Sequence, residues 1–189
     1  MSAGYVPAQH DRMLAGLVKD CYVVAVDLAA SPPVCRVSDG EWVSGWVRWH
    51  SVAAGKARHW RAPSLNEQGT LISASGDVAQ GTFIPGLYGN GGPPPDNRDH
   101  VEVWRFDDGG SLVYDWNANK YTITLPTGEV LVKVGGSTLS VSDDLISGES
   151  AAINFKGPMH IDGPLHATKD ISSDGAIIDT TGNTPNHKH

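Results

Sequence analysis

Two six-residue units stand back to back late in this sequence. Gly157-Pro-Met-His-Ile-Asp162 is followed directly by Gly163-Pro-Leu-His-Ala-Thr168, and both read Gly-Pro-apolar-His-apolar-polar. Lys169–Asp174 and Gly175–Asp179 continue with looser matches. Short periods of this kind belong to β-helices, in which strands stack along an axis. Ahead of them lies a series of brief alternating segments: Val101–Phe106, Ser111–Tyr114, Tyr121–Leu125, Glu129–Val134, Ser137–Val141 and Ala152–Phe155. Gly or Asp turns separate these segments, and each offers one apolar face only three or four residues long. About ninety residues built this way, with few large side chains, cannot enclose a core alone. Three copies wound around one axis would bring three apolar faces together and cover each other's strand edges. The expectation is an intertwined trimeric β-helix. A monomeric sandwich of hairpins is the alternative, and it leaves the repeat unexplained.

The first half reads differently. Met13, Leu14, Leu17 and Val18 fall at helical spacing within residues 6–18, which Gly16 weakens. This stretch is either a small helix closing one end of a barrel or an arm that docks on a partner. Five short strands follow: Tyr22–Val26, Val34–Val37, Glu41–Trp49, Thr70–Ser73 and Gly81–Ile84. With their turn punctuation they suit a small closed barrel of the OB type.

Such barrels can stack nucleic-acid bases on aromatic side chains. Trp42, Trp46, Trp49 and Trp60 lie among Arg48, Lys56, Arg58, Arg61, His50 and His59. An OB-fold single-stranded nucleic-acid-binding protein is therefore a second reading. Against it, tryptophans on barrel strands more often serve the core or a subunit contact. Charge also opposes it, because phosphate attraction supplies most non-specific affinity. Residues 1–95 carry seven Lys/Arg and seven Asp/Glu, so the whole net charge of −7 falls on residues 96–189.

Organisation follows from these observations. Residues 1–20 form an N-terminal arm or short helix, 21–87 the OB barrel, 88–99 a Gly/Pro-rich linker, 100–172 the β-helical shaft, and 173–189 an apex. No run approaches the roughly 18 apolar residues of a membrane helix. With only Cys21 and Cys35, the chain reads as a soluble, β-rich protein folded in a reducing cytoplasm.

The sequence closes with Asn183-Thr-Pro-Asn-His-Lys-His189. On an extended strand alternate side chains share a face, so His187 and His189 point one way and Lys188 the other. One chain supplies too few ligands, whereas a three-fold axis gathers six imidazoles around one point. Six nitrogens favour an octahedral transition ion such as iron over structural zinc, which takes four ligands. A disordered tail is the competing reading. His160 and His166 share one slot of the repeat and read as wall or surface positions.

Chemistry-bearing motifs are missing from the sequence: neither Gly-x-Ser-x-Gly, a phosphate loop nor His-Glu-x-x-His occurs. Asp107-Asp108 and Asp143-Asp144 sit in turn contexts, where Asp bonds the backbone. The chain is expected not to be an enzyme. A cell-wall or glycan hydrolase is the third reading, and it would need an acid pair to emerge from the fold.

Taken together, the chain resembles the baseplate assembly protein V family, the central spike of contractile-tailed phages and R-type pyocins. In the first half the resemblance rests on Val23-Val-Ala-Val-Asp27, Cys35-Arg-Val37, Trp46, Ala54-Gly55 and Trp60-Arg-Ala-Pro-Ser64 leading into Glu67-Gln68. Asn66 stands where the family usually has glycine. In the second half it rests on Lys169-Asp-Ile-Ser-Ser-Asp-Gly175 and the closing His187-Lys-His189. The resemblance implies an all-β homotrimer: an OB-fold barrel followed by an intertwined trimeric β-helix with a pointed, metal-bound apex. It also implies one iron ion per trimer on His187 and His189, with calcium or chloride as further axial ions. The partners implied are a tail hub or baseplate protein bound through the N-terminal domain, and the target outer membrane, touched mechanically. Nucleic acid and a separate tip protein are not expected as partners. The setting implied is a virion or pyocin particle assembled in the bacterial cytoplasm.

Overall fold

The computed structural model describes residues 10, 11 and 13–175, so the expected apex beyond residue 175 lies outside the described residues. The chain divides into two compact units, Met1–Pro126 and Thr127–His189. Eleven strands are present among the described residues, with only short helical turns beside them.

The first unit opens with a barrel. Strand β1 (Val18–Asp27) is ten residues long and serves two neighbours. Its first half pairs antiparallel with β4 (Gln68–Ile72), its second half with β2 (Val34–Ser38). The register shifts between Val23 and Ala25, a bulge that bends the strand so that both pairings hold. β4 continues to β5 (Thr82–Pro85), which runs parallel to the two-residue β3 (Arg48–Trp49). The Cys35–Val47 bridge then joins the β3 end back to β2. The order β2-β1-β4-β5-β3 is thereby almost closed, as an OB fold requires.

Inward side chains fill this barrel: Cys21, Val23, Cys35, Val37, Val47, Leu71 and Phe83 are buried, with Val26, Trp42, Trp49 and Val78 packed around them. Gly69 makes room for the largest of these. A Cβ there would lie 2.5 Å from the Phe83 ring and 2.3 Å from the Ile84 carbonyl.

The expected strand Glu41–Trp49 is largely irregular, with β3 confined to its last two residues. Asp39 is the reason. Its carboxylate accepts from the Glu41 and Trp42 backbone N–H groups at 3.0 and 3.2 Å, and from the Trp42 indole at 2.6 Å. These bonds coil the chain where a ladder would otherwise begin. Ser44 then substitutes for a ladder partner, its hydroxyl accepting from the Val37 N–H at 3.0 Å.

The segment after β5 is anchored rather than free, because Gly86 and Leu87 both donate to the Gln68 carbonyl. A three-stranded antiparallel sheet completes the unit: β6 (Val101–Arg105), β7 (Ser111–Asp115) and β8 (Lys120–Thr124).

The second unit holds β9 (Glu129–Val134), β10 (Ser137–Ser142) and β11 (Ile146–Glu149), paired antiparallel in the order β11-β10-β9. β11 carries little strand signal of its own, since Ile146-Ser-Gly-Glu149 has a single large apolar residue. Ala152–Phe155, expected as a strand, has no pairing, and residues 150–175 run without a strand. The hexapeptide unit nevertheless returns as backbone geometry. Gly157 and Gly163 adopt φ of +129° and +147°, values that only glycine tolerates readily.

Two stability predictions follow from the barrel. Phe83→Ala removes a ring with no solvent exposure, and should lower unfolding free energy by about 3–5 kcal/mol in urea titrations. The Asp39 carboxyl is held well below its ordinary 3.8, first by the Lys19 ammonium at 2.7 Å and then by its backbone and indole donors. Its stabilisation is therefore complete above the ordinary value and is lost as pH falls through the lower folded one. Asp39→Asn should depress the urea midpoint at pH 7, and the difference from wild type should shrink below pH 4.

Candidate assembly surface

All the buried apolar residues named above lie between Cys21 and Phe83. From Ser111 to Gly175 no residue is buried. The two sheets that follow the barrel, β6-β7-β8 and β9-β10-β11, carry organised apolar faces, and strand register identifies them.

In the β9-β10-β11 sheet, Val130 faces Val141, Val132 faces Leu139 and Val134 faces Ser137. β11 adds Ile146 opposite Val141 and Gly148 opposite Leu139. Side chains directly opposite share a face. One face is thus apolar apart from Ser137: Val130, Val132, Val134, Leu139, Val141 and Ile146. The reverse face carries Glu129, Leu131, Lys133, Thr138, Ser140, Ser142, Ser147 and Glu149. The apolar face is open to solvent, with Val134 at 76% and Ile146 at 73% exposed. Ile153 reaches over Gly148, where an added Cβ would sit 3.5 Å from its Cδ1. Full burial of an exposed Val, Leu or Ile is worth roughly 1.5–3 kcal/mol, and each of these side chains forgoes a part of it. A continuous exposed face of this kind marks an association surface.

The β6-β7-β8 sheet has an aromatic face. Trp104, Leu112 and Ile123 form one cross-strand row, and Glu102, Tyr114 and Tyr121 the next. Tyr114 and Tyr121 are tilted with ring centroids 6.3 Å apart, and the Trp104 indole donates to Glu102 at 3.0 Å. Glu102, Trp104, Leu112, Tyr114 and Tyr121 line a shallow groove on this face.

The tryptophan and basic cluster of the barrel is not a row of free stacking platforms. Trp42 and Trp49 pack against the core, and Trp60 stands 5.8 Å from Trp49. Trp46 is stacked by Arg36. Arg61 forms a fork with Glu67 at 2.9 and 2.5 Å, which raises its pKa. His50 is bonded to the Thr82 hydroxyl at 2.9 Å, and His59 meets the Trp104 ring edge-on at 5.9 Å.

Burial pushes both Cys21 and Cys35 thiols up to about 11, so they stay protonated at neutral pH and are poor nucleophiles. Among the described residues no group of three or more His, Cys, Asp or Glu side chains converges as a metal site. His160 and His166 are exposed. His187 and His189 lie outside the described residues.

Comparison with known proteins matches both halves. Residues 19–88 match the family described as the type VI secretion system/phage-baseplate injector OB domain. Residues 102–175 match the β-helical trimerization domain of Gp138. The spike protein of Escherichia phage P2 is 30% identical over 114 residues, which is 60% of this chain. The match spans about half, 53%, of that relative's length. The apolar sheet face provides a direct check: Leu139→Asp should lower the assembled mass seen by light scattering, while near-ultraviolet dichroism of the barrel persists.

Proposed function

We propose that this chain, which joins a phage-baseplate injector OB domain to a Gp138-type β-helical trimerization domain, is the homotrimeric spike at the centre of a contractile tail baseplate. One observation carries the reading. A segment that matches a trimerization domain presents a sheet face that is apolar but for Ser137 to solvent, and residues 111–175 bury nothing within a single chain. Three copies turn those faces inward, giving a shaft whose outer wall is the mostly polar face of Glu129, Lys133, Thr138, Ser140 and Glu149, with Leu131 among them.

The work is mechanical. Sheath contraction drives the shaft through the outer membrane of a target cell, and the OB barrels hold the spike to the tail hub. A polar-walled needle has little tendency to dissolve in a bilayer by itself, since spontaneous binding needs an exposed apolar or amphipathic surface. Applied force takes the place of that affinity. Threefold braiding also pairs strand edges and fixes each chain along its length, so the shaft resists bending and unravelling. The likeness to the phage P2 spike protein supports a place in a phage tail.

His187 and His189 are the residues that would hold an apical metal. Imidazole nitrogens from three chains suit an octahedral iron ion, and alternation along an extended strand puts the two side chains of each chain on one side. When bound, the ion would cross-link three chains where β-pairing runs out.

Mass measurement in solution combined with elemental analysis tests this proposal. The expected result is a trimer carrying about one iron per three chains. Replacing His187 and His189 with alanine should remove the metal and leave the trimer. A folded monomer of the wild-type chain would refute the spike. Trimer collapse in the histidine variant would show that stability resides at the apex rather than in the shaft.

A further inference from the structure

We infer that the closed loop over residues 51–59 of the barrel is the element by which the OB domain docks on its partner. The partner surface it fits is an apolar socket ringed by carboxylates. This deepens the hub-bound reading above and rests on it.

Charge is the first observation. Between Glu41 and Glu67 the sequence holds no acidic residue, yet it holds Arg48, Lys56, Arg58 and Arg61 within a chain of net charge −7. Arg61 is neutralised by Glu67. Among the described residues Arg48, Lys56 and Arg58 have no carboxylate within ion-pair distance. Elsewhere in the same unit, Asp96 and Asp115 are engaged by Arg98, and Asp99 by His100.

Shape is the second. Val52 is 90% exposed, an aliphatic knob on the same loop as Lys56 and Arg58. Trp60 adds an exposed ring supported from beneath by Trp49. An apolar centre with Trp and Arg around it has the composition of a protein interface.

Order is the third. The loop is held by its own bonds: Ser51 Oγ donates to the His59 carbonyl at 2.6 Å, and His59 N–H donates to the Ala53 carbonyl at 2.9 Å. Ala54 and Arg58 are bridged across it. Its roots are fixed as well, by His50 N–H on the Phe83 carbonyl at 2.8 Å and by His59 against Trp104. A preformed loop loses little entropy on binding. Nucleic acid fits less well, because Val52 offers no ring for a base and the Trp49 ring is occupied.

The test uses the full-length trimer and the purified hub protein of the same tail, titrated by calorimetry. Val52→Asp and the pair Lys56→Glu with Arg58→Glu should each weaken the complex about tenfold or more, with trimer mass unchanged. Raising salt should weaken the wild-type complex and have less effect on the charge-reversed pair. If wild type binds the hub and both variants bind equally well, the loop assignment is wrong and the hub-bound reading stands. If wild type does not bind the hub, the hub-bound reading itself falls. Loss of the trimer in Val52→Asp would make the loop a contact between copies. Salt-sensitive binding of a single-stranded oligonucleotide that both variants abolish would make nucleic acid the occupant. Either of these last results overturns the proposal.

Discussion

The apolar faces of the short strands after the barrel find no cover within one chain: from Ser111 to Gly175 no residue is buried. That constraint organises everything after the barrel. The β9-β10-β11 register sorts Val130, Val132, Val134, Leu139, Val141 and Ile146 onto one side, with Ser137 as the lone polar member. Hydrophobic free energy scales with area removed from water, so this face favours association over solvent contact. Among the described residues after β11, up to Gly175, no strand pairing occurs, as expected of a segment whose pairing partners belong to other copies.

The barrel solves the opposite problem. It is small, yet it owns an interior, because one long strand bends at a bulge and serves two neighbours while a bridge between β2 and the β3 end closes the ring. Seven buried apolar side chains suffice when the sheet curls on itself and leaves few open edges. The two parts of the chain therefore differ: the barrel buries a core of its own, whereas the segment that matches a trimerization domain leaves its apolar face exposed in a single chain.

Much of this was legible in residue order. Four of the five barrel strands lie where β-branched runs between turns place them. The hairpin strands from Val101 to Val141 follow two-residue alternation closely. The failures have local causes. Asp39 captures the backbone ahead of Glu41–Trp49 and leaves only Arg48–Trp49 in the sheet, a side-chain effect that strand propensity does not register. β11 carries one large apolar residue and is recruited by pairing to β10. The aromatic cluster was the most ambiguous feature. Its composition fitted either a core or a stacking platform, and only packing separated Trp42 and Trp49 from the exposed Trp60.

Sequence by itself determined that the chain is all-β, that its first half makes a small barrel, and that its second half lacks bulk for a private core. Those conclusions depend on periodicity, turn residues and volume, which are properties of local order. Tertiary structure decided which face of each sheet is apolar, which tryptophans are spent on the interior, and which cations are left without carboxylates. Such facts depend on register and on residues brought together from distant positions, as with Arg61 and Glu67 or His59 and Trp104. A one-residue slip would exchange every face, and no local pattern records which register won.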